Sequence, residues 1–119
     1  MGKTEITPNM RKALCSLKQN GIKICIATGR PFVTIPMFEG IVFDAILAFN
    51  GSFCVAGDQV VAKCPIPKED VKKIIENAKR MERPVSIATA EEIVANGSDK
   101  DLEDYFAIAH HRVNVSEKF

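Results

Sequence analysis

The alternation of helical and strand-like segments in the first fifty residues most limits the possible folds. A helical pattern begins at Thr7 and Pro8, because threonine can cap free amides and proline fits the first turn. A run rich in β-branched residues covers 22–27, a looser helical stretch extends to about Glu39, and a second apolar run covers 45–49. This order is typical of a parallel α/β sheet, and apolar runs on both strands indicate a sheet covered on both faces.

The pattern changes after residue 50. Two short strand-like runs joined by Gly57-Asp58 predict a hairpin. The elements predicted after it are an amphipathic helix around 71–81, a strand at 85–89, a helix opened by Ser98 or Asp99, and a strand at 113–115. The sequence therefore predicts two parts: a parallel α/β core over residues 1–50, and a separate antiparallel α+β unit over residues 51–119.

The charge balance excludes one broad class of function. Sixteen Lys+Arg against fifteen Asp+Glu give a formal net charge of +1. A nearly neutral chain has no basic field to hold nucleic acid or an anionic membrane surface. We expect neither partner.

The expected compartment is the cytoplasm. The apolar run 41–49 is too short to span a bilayer and is interrupted by Asp44, and the first residues lack the apolar region of a signal peptide. The cysteines form no C-x-x-C pair, so we expect reduced, mostly buried thiols; they are Cys15, Cys25, Cys54 and Cys64.

Thr28-Gly29-Arg30 is the most informative motif. It follows the first predicted strand, and ligands of open α/β sheets bind beyond the carboxyl ends of strands. The Thr28 hydroxyl and the Gly29 N–H could bind an oxyanion, glycine permits close approach, and a following helix N-terminus would favour negative charge. The alternative is a simple strand-to-helix turn with Thr28 as the cap.

Asn50-Gly51 also has two interpretations. The dipeptide is common in tight turns. It also ends the second predicted strand, which would place Asn50 in the same crevice as Thr28. Elsewhere, His110 and His111 have no carboxylate or cysteine at ligand spacing, so we predict no metal site in this chain.

Together these motifs resemble the haloacid dehalogenase (HAD) superfamily, in the subgroup of Cof-like phosphatases with a type-B cap. The segment that carries the resemblance is Gly-Ile-Lys-Ile-Cys-Ile-Ala-Thr-Gly-Arg-Pro at 21–31, preceded by Ile-Thr-Pro at 6–8 and followed by Asp-Ala-Ile at 44–46 and Asn-Gly at 50–51. The resemblance implies a partial Rossmann-like HAD core followed by part of an α+β cap.

The resemblance also implies a function and a set of roles. The family hydrolyses phosphate esters through an aspartyl-phosphate intermediate with Mg²⁺. For this subgroup the resemblance implies small phosphorylated metabolites, such as sugar phosphates, as substrates. Thr28 matches the second family motif, whose hydroxyl bonds the transferring phosphoryl group. Gly29 would add its backbone N–H, while Arg30, Asn50 and Gly51 would lie against the substrate.

The sequence departs from the family pattern at both ends. The family's nucleophilic aspartate precedes the segment that matches Thr7, where this chain has six residues and no aspartate. The family's lysine and its Mg²⁺-binding Gly-Asp would follow Phe119. We therefore expect an internal fragment that is inactive as given and holds no ligand for the implied Mg²⁺.

Two other functions remain open on the sequence. One is a non-catalytic binding or self-associating module, because an unpaired edge beside 22–27 would invite a homodimer. The other is a small nucleotide-binding domain, which is disfavoured because no Gly-x-Gly-x-x-Gly follows a strand.

Overall fold

The computed structural model describes residues 5–119 and divides the chain into two compact units. The first ends at Pro65 and the second spans Ile66–Phe119. Each unit is built from its own helices and strands, as follows.

The first unit contains one helix and a four-stranded mixed sheet. Its elements are α1 (Pro8–Gln19), β1 (Cys25–Ala27), β2 (Ala45–Ala48), β3 (Phe53–Ala56) and β4 (Gln59–Lys63). The sheet order is β1-β2-β3-β4; β1 and β2 are parallel, and the other neighbours are antiparallel. The α/β prediction is confirmed, and the predicted hairpin continues the sheet that holds the parallel pair.

The start of α1 follows from its cap. The Thr7 hydroxyl accepts a hydrogen bond from Met10 N at 3.2 Å, and Pro8 occupies the first turn. The threonine hydroxyl satisfies a helix amide that would otherwise lack a partner, and proline in the first turn removes no helical hydrogen bond, as the sequence predicts.

The looser helix expected up to Glu39 is wrong. Only a 3₁₀ turn, Phe32–Thr34, forms there, and the chain to residue 44 is irregular. Pro31 and Pro36 each lack an amide donor and restrict the residue before them, so a helix cannot continue through this segment.

The core of the first unit lies against one face of the sheet. Ile35, Ile46 and Ala48 are buried together, with flanking aromatic and aliphatic side chains packed around them. On the opposite face Cys25 and Ala27 are exposed and Leu47 is about one-third exposed. Coverage of both faces, expected from the apolar runs, is therefore not what the described residues show.

The second unit contains two helices and a small antiparallel sheet. Its elements are α2 (Lys68–Arg80), β5 (Ser86–Ala88), β6 (Ile93–Ala95) and α3 (Lys100–Ile108). The Asp99 carboxylate caps α3 by accepting from Leu102 N at 2.8 Å. The predicted tail strand is a single parallel bridge between Ala95 and Val115.

The cysteines are free but not buried. Cys25 and Cys64 are exposed, and Cys15 and Cys54 are partly exposed. The expectation of mostly buried thiols is wrong: Cys25 lies in β1, whose outer edge is open among the described residues, and Cys64 follows the exposed strand β4. Across residues 5–119, every helix is too short or too polar to cross a bilayer.

Candidate functional site

The chain turns that follow β1 and β2 are hydrogen-bonded to each other. Thr28 N donates to Leu47 O at 2.9 Å, which extends the parallel ladder by one step. Asn50 N then donates to Thr28 O at 3.0 Å, and Phe49 N donates to Arg30 O at 3.1 Å. The structure therefore brings together the residues singled out in the sequence, here called the turn site: Thr28, Gly29, Arg30, Asn50 and Gly51.

The Thr28 hydroxyl accepts one hydrogen bond and donates none to the described residues. Its Oγ1 accepts a hydrogen bond from Arg30 N at 3.1 Å, which fixes the oxygen within a tight turn. The side chain is partly buried, and the described residues offer no acceptor for its O–H. A hydroxyl that already accepts one bond is well placed to donate another.

The absence of a side chain at Gly29 leaves space for the side chain of Asn50. A Cβ on Gly29 would lie 2.9 Å from Asn50 Oδ1, closer than real Cβ contacts. The carboxamide of Asn50 thus lies directly over the Gly29 backbone. Among residues 5–119, neither the Gly29 N–H nor the Asn50 carboxamide has a hydrogen-bond partner.

The second turn has an unusual backbone. Phe49, Asn50 and Gly51 have φ angles of 50°, 57° and 91°, three left-handed residues in succession. Asparagine and glycine adopt this region readily, whereas phenylalanine rarely does. A Cβ at Gly51 would meet nothing within 4 Å, so the space beside its backbone is open.

The turn site has a positive electrostatic character. Arg30 is the one charged residue in segments 28–31 and 49–52, and its guanidinium makes no ion pair with the described residues. The same two turns carry four further donors: the Thr28 hydroxyl, the Asn50 carboxamide, and the Gly29 and Gly51 amides. Such a donor set suits an oxyanion.

Asp44 lies at the amino end of β2, away from the turn site. Its carboxylate accepts from Ile24 N at 2.9 Å and lies 3.3 Å from Lys18 Nζ and 3.9 Å from Lys23 Nζ. The hydrogen bond from Ile24 is the main reason that the pKa of Asp44 is lowered, and the two lysines add to it. This residue joins structural elements.

The residues of the turn site do not fit a magnesium ion. Proteins usually hold Mg²⁺ through one or two carboxylates, and segments 28–31 and 49–52 contain none. Across residues 5–119 no group of three acidic, histidine or cysteine side chains could hold a metal.

Two features of the site differ from the sequence analysis. The helix expected after Thr28 is the short 3₁₀ turn, so no helix N-terminus contributes to anion binding. The left-handed conformation of Phe49 is not predictable from its residue type. The following Asn-Gly was the available hint of a tight turn.

Comparison with known proteins gives a family and a fold. A family model of haloacid dehalogenase-like hydrolases matches residues 2–119. The chain is 28% identical over 95 residues to "Putative phosphatase YkrA" of Bacillus subtilis, covering 79% of this chain and 37% of that protein.

Solved structures agree with this match. BT1666 of Bacteroides thetaiotaomicron, from a study of HAD phosphatases, is 28% identical with a TM-score of 0.77, covering 96% of this chain and 43% of that one. A hypothetical protein of Geobacillus kaustophilus is 26% identical with a TM-score of 0.84, covering 97% and 46%. The HAD subclass IIB sugar phosphatase BT4131, at 24% identity and a TM-score of 0.73, shares the fold. The chain thus spans less than half the length of each of these relatives.

Proposed function

Because the chain belongs to the haloacid dehalogenase-like hydrolases, we propose that its turn site binds the phosphoryl group of a small phosphorylated metabolite. The whole protein's reaction would then be phosphate-ester hydrolysis. We assign residues 1–50 to the family core and 51–119 to its cap. We also place the protein in the cytoplasm, where its four free thiols would stay reduced.

One observation carries this proposal: two turns from neighbouring parallel strands lie against each other, and the Thr28 O–H, the Gly29 N–H and the Asn50 carboxamide have no partner among the described residues. Backbone bonds link Thr28 to Asn50, and the Asn50 carboxamide lies over Gly29. Each role follows from its atom. The Thr28 O–H and the Gly29 and Gly51 N–H groups donate to phosphoryl oxygens, and Arg30 supplies the positive charge.

The remaining family chemistry is not carried by these residues. Magnesium would neutralise the phosphoryl charge in the family reaction, and an aspartate would attack phosphorus, but the turn site contains no carboxylate. We therefore propose that the 119-residue chain binds phosphate without hydrolysing an ester. The choice of sugar phosphates as substrates rests on the resemblance to Cof-like phosphatases.

The expected affinity is weak. A hydrogen bond to a charged group contributes about 1.5–3 kcal/mol, so two or three donors provide roughly 3–8 kcal/mol. Immobilising a ligand costs at least about 4 kcal/mol. The difference corresponds to a Kd of about a millimolar at best.

Titration of the ¹⁵N-labelled chain with inorganic phosphate tests the proposal. We expect saturable shifts of the Gly29 and Gly51 amides, and Thr28→Ala should weaken binding about tenfold, because one charged-group hydrogen bond is lost. Thr34→Ala is the matched control, since the Thr34 hydroxyl donates to Pro31 O at 2.9 Å and lies outside the turn site.

Two results would contradict the proposal. The first is the absence of any shift at Gly29 and Gly51 when ionic strength is held constant with chloride. The second is equal weakening by the Thr28 and Thr34 substitutions. An assay with an aryl phosphate and Mg²⁺ tests whether the chain is inactive. Turnover that persists in repurified Thr28→Ala would come from a contaminant. Turnover by the wild type that is lost in Thr28→Ala would disprove the proposed inactivity of the chain.

A self-associating module is the second candidate, and the open edge of the sheet favours it. β1 pairs with β2 along one side, and its other side has no strand partner among residues 5–119. Unpaired strand edges invite pairing with another chain. Sedimentation of a monomer at high protein concentration would reject a homodimer.

A further inference from the structure

We propose that Phe49 is a positioning residue for the turn site, holding Asn50 and Gly51 against Thr28 and Gly29. The inference rests on the proposed phosphoryl-binding function and adds a residue that does not itself touch the ligand. Its basis is a backbone conformation that is unfavourable for phenylalanine and two contacts that maintain it.

The conformation of Phe49 differs in context from the other left-handed residues. Besides Asn50, the other non-glycine residues with positive φ are Glu82 and His110 among residues 5–119. Each comes two residues after the last residue of α2 or α3, where a left-handed residue commonly ends a helix. Phe49 instead follows a strand, and a bulky residue with φ of 50° there is a true outlier.

Two contacts hold Phe49 in this conformation. Its N–H donates to Arg30 O at 3.1 Å, which joins it to the first turn. Its side chain packs against the buried cluster of Ile35, Ile46 and Ala48. Backbone strain persists only where the surroundings determine it, and strained residues concentrate at functional sites.

The consequence reaches the next two residues. Because φ at Phe49 is positive, the chain turns directly after β2, and Asn50 N reaches Thr28 O at 3.0 Å. An ordinary β conformation at Phe49 would carry the chain onward along the strand direction. The placement of the Asn50 carboxamide over Gly29 therefore depends on this one residue.

Three variants separate positioning from general stability. Phe49→Ala removes the side-chain packing and leaves the cost of a positive φ. Phe49→Leu keeps an apolar side chain of similar reach. Val55→Ala is the matched control, because Val55 packs against the same cluster, pairs with Ile46 and lies outside the turn site.

The first measurement needs no ligand. In the wild type we expect a nuclear Overhauser contact between the Asn50 side-chain amide protons and the Gly29 Hα protons, because the carboxamide lies over Gly29. Phe49→Ala should lose this contact, whereas Phe49→Leu and Val55→Ala should keep it. If Phe49→Ala does not fold, Phe49→Val replaces it, since a β-branched residue retains apolar packing but disfavours positive φ.

The second measurement is the phosphate titration of the same variants. Affinity should fall at least about tenfold in Phe49→Ala and stay within about twofold in Val55→Ala, since the loss of one donor to an anion is worth that much. An unchanged Asn50–Gly29 contact in Phe49→Ala or Phe49→Val overturns the positioning role, as does an equal loss in Val55→Ala. A wild type that binds no phosphate refutes the proposed function, while the first measurement still decides the role of Phe49.

Discussion

At the scale of single residues, Gly29 and Asn50 compete for one small volume. The 2.9 Å separation between a Cβ at position 29 and Asn50 Oδ1 means that one of the two must move if alanine replaces the glycine. Asn50 is exposed, so its carboxamide can swing into solvent at small cost. The glycine therefore matters for the position of the Asn50 carboxamide and much less for stability.

We predict that Gly29→Ala changes the free energy of unfolding by less than about 1 kcal/mol and weakens phosphate binding about tenfold. The measurements are urea denaturation and the amide titration. In the Asn50→Ala background the same substitution should have little further effect, because its clash partner is gone. Full additivity of the two substitutions would show that their side chains do not interact.

At the scale of elements, Asp44 fastens three segments together. The carboxylate of Asp44, at the start of β2, accepts a hydrogen bond from Ile24 N, just before β1, and another from Lys18 Nζ of α1. Asp44 N in turn donates to Ile24 O at 2.8 Å. The arrangement sets the parallel register in which Cys25 lies opposite Ala45.

This fastening predicts a pH dependence. Since the pKa of Asp44 is lower in the folded chain than its ordinary value of 3.8, the carboxylate stabilises the fold fully above that value. The stabilisation is lost as the pH falls through the lowered pKa. In urea denaturation at pH values from neutral to about 3, the free energy of unfolding should fall less steeply with decreasing pH in Asp44→Asn than in wild type. Identical acid slopes would exclude this role, and Asp58→Asn, at the exposed hairpin turn, is the control.

Local signals explain which elements could be predicted. Both α1 and α3 are capped by a side chain that accepts a hydrogen bond from the amide three residues later. Thr7 and Asp99 can therefore be recognised as helix caps from the sequence. β6 was missed because it has three residues and depends on pairing with β5. The conformation of Phe49 is not predictable for a similar reason: the buried cluster against which it packs includes Ile35, which is distant in the chain.

At the scale of the whole molecule, the open side of β1 determines how the chain would meet another copy. We predict concentration-dependent self-association under reducing conditions, weakened by Cys25→Lys, because a charged side chain on an exposed edge strand opposes pairing. Sedimentation velocity measures it. Asp58→Lys, at the hairpin turn, should leave association unchanged, and equal effects of both substitutions would argue against the β1 edge.

The bonds between the two turns have a consequence for how the protein opens. The amide protons of Phe49 and Asn50 are both donated across to the neighbouring turn. Solvent can therefore replace them only when the turns separate, and their rate of deuterium uptake reports whether the turn site is intact. Deuterium uptake at these two amides would report the same property in any longer or altered version of the chain, whether or not a ligand or an activity assay is at hand.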